Sequence, residues 1–121
     1  MKASSGHLVL DEGVEYRDLV PVFPEILTTF LQESGQVPDD PDILNMFIHL
    51  NQEELERNRK PEGYNRKGRM RLVFPLEWRE FYIRSMSKSN EVIRITEKIS
   101  RILDEAKVGH QVEWNKLYFN E

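Results

Sequence analysis

His49 and Glu53 stand four residues apart, and on a helix that spacing puts an imidazole and a carboxylate on one face. Two such groups are half of a metal site. Zinc needs at least three protein ligands, and no second helical pair of His or Glu matches this one. His7 and His110 fall in segments near the termini whose local pattern suits more than one conformation. Asp39, Asp40 and Asp42 form an acidic cluster, but Pro41 interrupts it. The alternating oxygen ligands, turn glycine and closing glutamate of a calcium loop are missing. Helix capping is the better reading of these three aspartates. No serine sits in a Gly-x-Ser-x-Gly elbow, and no glycine-rich phosphate loop is present. The chain has no cysteine, so thiolate ligands, thiol nucleophiles and disulfides are excluded. No catalytic residue, metal or cofactor is therefore assigned. His49, Glu53 and Tyr64 are the polar candidates if the chain is an enzyme without a readable motif.

Charge carries more information than any motif. The net charge of −4 is unevenly spread. Residues 1–42 hold nine acids against Lys2 and Arg17, a balance of −7, and the remainder carries +3. Two acidic groups stand out in the first third: Asp11, Glu12, Glu15 and Asp18, and then Asp39, Asp40 and Asp42. If the chain reverses between them, they meet at one end of the domain and offer a surface to a basic partner. The segment from Arg57 to Arg71 is the opposite case, with seven bases and one acid, Glu62. Arg57, Arg59, Lys60, Arg66, Lys67, Arg69 and Arg71 would serve phosphates, and Tyr64 would stack on an exposed base. A solvated loop accounts for the same composition.

The elements that position these groups read as follows. His7–Leu10 suits a short strand. Pro24 opens a first helix whose apolar residues Phe23, Ile26, Leu27, Phe30 and Leu31 fall at helical spacing, with Ser34-Gly35 as its stop. Asp40 caps a second helix, which Pro41 begins and which runs to about Arg59. Its two adjacent stripes, Ile43, Met46, Phe47 and Leu50, and Leu44, Ile48 and Leu55, cover half the circumference, which predicts a central helix touching more than one neighbour. Residues 60–69 form a loop, Met70–Phe74 a short strand. Pro75 starts a third helix burying Trp78, Phe81, Tyr82 and Met86. A fourth helix carries Val92, Ile95, Ile99, Ile102, Leu103 and Ala106, and only a few residues separate it from the third, so the two should pack antiparallel. After Gly109, Val112, Trp114 and Tyr118 alternate as in a strand.

These readings predict a single domain over residues 1–121, mainly α, with about four helices in a bundle-like layer. The alternative is α+β, with a small sheet from residues 7–10, 70–74 and 111–119. The lack of cysteine, of a leader-like apolar run and of any membrane-length segment points to the cytoplasm. The leading functional expectation is a small non-catalytic binding protein with a protein partner, such as an inhibitor or immunity-type protein presenting its acidic residues to a basic site. The alternative is a nucleic-acid-associated regulator working through residues 57–71.

Overall fold

The computed structural model describes residues 2–77 and 79–116. Strand β1 (Ala3–Leu10) leads through a 3-10 turn (Tyr16–Leu19) into helices α1 (Phe23–Glu33) and α2 (Pro41–Glu56). Strands β2 (Met70–Val73) and β3 (Glu80–Ser89) follow, then helix α3 (Asn90–Glu105) and strand β4 (His110–Trp114). The four strands form one sheet in the order β2-β3-β1-β4, with every neighbouring pair antiparallel. This is the split β-α-β-β-α-β arrangement of ferredoxin-like topology. α2 is an addition to that frame, placed between α1 and β2.

Side chains alternate along a strand, so register decides what faces the helices. Leu8 pairs with Phe81 on one side and Val112 on the other, and Leu72 pairs with Ile83. These residues meet the buried stripes of α1 (Phe23, Ile26, Leu27, Phe30, Leu31) and α3 (Val92, Ile95, Ile99, Ile102, Leu103). α3 lies against both α1 and β1. Ser89 ends β3 and caps α3 at once, accepting a 2.9 Å hydrogen bond from the Glu91 amide. No helix among the described residues is long and apolar enough to cross a membrane.

The mainly helical expectation is overturned: among the described residues three α-helices pack on a four-stranded antiparallel sheet. The segment after Pro75 is not a helix but the central strand β3, so no antiparallel pair of third and fourth helices exists. Phe81 and Tyr82 are both buried, as successive strand residues on opposite faces. Met86, expected in the core, is exposed. Trp78 and residues 117–119 lie outside the described residues. The helical reading of β3 fails for a physical reason. Glu80–Ile83 are all buried, so this strand shows no polar–apolar alternation to betray its period.

Candidate functional site

α2 begins where its sequence says it should. The Asp40 carboxylate accepts a 2.9 Å hydrogen bond from the Asp42 amide, and Pro41 occupies the first turn. Its inner side holds the fold. Leu55 is fully buried, and Leu44, Phe47 and Ile48 pack partly against the core. Asn51 is buried and clamps the following loop, donating to the carbonyls of Phe47 (2.8 Å) and Gly63 (3.2 Å) and accepting from the Gly63 amide at 2.7 Å. Gly63 has φ +73°, and a β-carbon there would collide with the Leu72 carbonyl, so only glycine lets the loop lie this close to β2.

The outer side of α2 is largely open to solvent. Ile43, Met46 and Leu50 are 41%, 47% and 51% exposed, and Val37 before the helix is 43% exposed. The wide apolar arc therefore does not make α2 central. Half of it packs inward and the other half forms an apolar row open to solvent. Beside that row is a cleft of about 840 Å³ whose walls include Phe47, Leu50, Glu53, Lys60, Tyr64 and Arg66. The Arg66 guanidinium lies 5.0 Å from the centre of the Phe47 ring and 6.0 Å from that of Tyr64, within cation–π range. The helix itself carries Asp42, Glu53, Glu54 and Glu56 and no Lys or Arg. Asp39 and Asp40 extend this acidity at its entry.

The two acidic groups of the first third do not meet. Asp39, Asp40 and Asp42 surround the N-terminus of α2. Glu15 lies at its other end, accepting a 2.6 Å hydrogen bond from Asn58 and pairing with Arg17 at 3.3 Å. Sixteen residues of helix, about 24 Å, separate them. Asp18 accepts from the Glu15 amide, and Asp11 is tied through its amide to the Gly109 carbonyl, with Glu12 exposed beside it.

The bases of residues 57–71 are dispersed as well. Arg59 pairs with Glu54 at 3.0 Å. Arg69 grips both oxygens of Glu91 (3.1 and 2.5 Å) and the Ser34 carbonyl (3.0 Å). Lys60 and Arg66 belong to the α2 cleft, and Arg57 and Lys67 are exposed. Arg71 points from β2 on the strand register opposite Arg84. Tyr64 is no open stacking platform, because its ring packs against Phe30 and Phe47. His49 and Glu53 do meet, at 2.8 Å and both exposed, and among the described residues no third ligand joins them.

One polar array escapes sequence reasoning altogether. Ser5 Oγ lies 2.8 Å from His7 Nε2, and His7 Nδ1 lies 2.9 Å from Glu80 Oε2. Lys116 Nζ approaches the other Glu80 oxygen at 3.6 Å, and the Tyr82 ring sits 4.8 Å from the imidazole. The order hydroxyl, imidazole, carboxylate is that of a hydrolytic triad. Ser5 is completely buried, however, so no substrate carbonyl reaches its oxygen. What the array does here is satisfy three buried polar groups. Burial alone would raise the Glu80 pKa, but the hydrogen bond and charge of His7, with the charge of Lys116, hold it below the ordinary carboxylate value. The i,i+2 spacing of Ser5 and His7 is the only trace in the sequence, since Glu80 arrives from another strand. Comparison with protein-family models, curated proteins and solved structures finds no significant match for this chain.

Proposed function

We propose that this chain is a non-catalytic binding protein that docks a partner protein on the outer face of α2. The observation that carries the reading is the row Ile43, Met46 and Leu50, exposed on a helix that the β-α-β-β-α-β frame does not require. An aligned apolar row of this kind gains free energy only when something covers it, and such patches mark interaction surfaces. The acids on and around α2 select the partner's chemistry: apolar side chains for the row, with a basic rim facing Asp39, Asp40, Asp42 and Glu53. An inhibitor or immunity-type role, with α2 occupying the basic site of another protein, is the form of this reading in which those acids act directly. A cysteine-free composition suits the cytoplasm as its compartment.

The test is site-specific photo-cross-linking in the native cell. A photoreactive residue in place of Met46 should yield one adduct of defined mass, and the same residue in place of Arg101, on the exposed side of α3, should not. No adduct from either position, or the same adducts from both, overturns the proposal.

A further inference from the structure

A second surface, independent of α2, gathers bases that are far apart in the chain. β2 and β3 set Arg71 directly opposite Arg84, so the two side chains leave neighbouring strands on the same face of the sheet. Like charges placed this way oppose folding. Neither is neutralised by a carboxylate among the described residues: Arg71 reaches only the Asn65 side-chain oxygen, at 3.4 Å, and Arg84 makes no ion pair. Next to them a small cleft of about 80 Å³ is lined by Arg69, Arg71, Arg84 and Ser85. A larger cleft of about 440 Å³, lined by Lys2, Arg69, Ser85, Lys88 and the start of α3, continues from it through the shared Arg69 and Ser85. Five bases from the start of the chain, from β2 with its approach and from β3 thus surround one corner. Among the described residues the acid there is Glu91, which is already held by Arg69.

We infer that this corner binds the phosphate backbone of duplex nucleic acid. A chain of net charge −4 has no general excess of base to scatter over its surface, so five bases at one place, with two arginines unneutralised, form a local positive field. Phosphates would relieve the Arg71–Arg84 repulsion that the sheet otherwise bears. Among the described residues no aromatic side chain lines either cleft, so the groups on offer there are cations and hydroxyls that suit phosphates rather than stacking on unpaired bases. Binding of this kind is independent of sequence. The corner differs from the loop reading of residues 57–71: it uses Arg69 and Arg71 from that segment, but Lys2, Arg84 and Lys88 come from elsewhere, and Arg57 and Arg59 play no part.

The experiment is fluorescence anisotropy of the full chain with a labelled DNA duplex of about 20 base pairs, from about 50 to about 200 mM salt. Affinity should fall steeply with salt. In Arg71→Gln/Arg84→Gln, binding at low salt should weaken at least tenfold, and the slope of log K against log salt should become shallower by about 1.8, or 0.9 for each lost phosphate contact. The melting temperature of that variant should match or exceed the parent's, because a repulsion has been removed. Arg57→Gln/Arg101→Gln, with its changes away from the corner, should bind like the parent. Three results would overturn the inference: no duplex binding at about 50 mM salt, equal loss in both double variants, or binding to phosphatidylserine vesicles without binding to the duplex.

Discussion

A β-carbon placed on Gly6 would fall 2.8 Å from Cβ of Thr96, so α3 crosses β1 at a residue that has no side chain to obstruct it. Thr96 is fully buried there, and its hydroxyl is satisfied by the Val92 carbonyl at 2.7 Å. This contact sets how closely the helix layer approaches the sheet.

Gly6→Ala should therefore destabilise the fold by about 1–3 kcal/mol, the usual cost of overpacking a filled site. Urea unfolding measures it. The backbone at Gly6 is not in the left-handed region, so the cost comes from space and not from conformation. A change smaller than about 0.5 kcal/mol would show that α3 can lift away from β1 without loss.

The two sides of α2 should respond oppositely to truncation. Leu55→Ala empties a fully buried site and should cost about 2–5 kcal/mol. Ile43→Ser/Leu50→Ser alters only the exposed row and should shift stability by no more than about 0.5 kcal/mol at each position. The comparison needs only denaturant midpoints for the two variants. Equal and large losses would mean that the outer row is covered by the chain itself.

Acid stability should depend on Glu80. Its pKa in the folded protein is lowered, so it contributes stability that is present above the ordinary carboxylate range, near pH ~4.3, and is lost as the pH falls through the folded value. Glu33, held by Lys98 and Arg94, and Glu91, held by Arg69, act in the same direction. Glu80→Gln removes one of these three terms, so its stability should decline less steeply with acid than the parent's, while Glu33 and Glu91 keep part of the slope. Urea midpoints measured across the range from about pH 2.5 to about pH 7 decide it. Superimposable acid slopes for the two proteins would mean that the Glu80 carboxylate gains nothing from His7 and Lys116.

The amino-acid sequence by itself determines the three helices. Their signals are local: an apolar stripe of period 3.6 over eleven to sixteen residues, with Asp40 and Pro41 marking one entry. Nothing distant is needed to read them. The identity of β3, the Ser5–His7–Glu80 array and the Arg71–Arg84 pair belong to the tertiary structure alone. His7 meets Tyr82 and Glu80 across more than seventy positions of chain, and no local pattern encodes that register. A central strand covered on both faces loses the alternation that would identify it, so Glu80–Ile83 resembles part of a buried helix until β1 and β2 are paired with it. The case of α2 is subtler. Its apolar arc is plain in the sequence, but an apolar side chain looks the same whether it will be covered by its own chain or by another. Only the packed structure separates Leu55, which the fold buries, from Met46 and Leu50, which it leaves open, because burial depends on which neighbour arrives and not on the residue that waits for it.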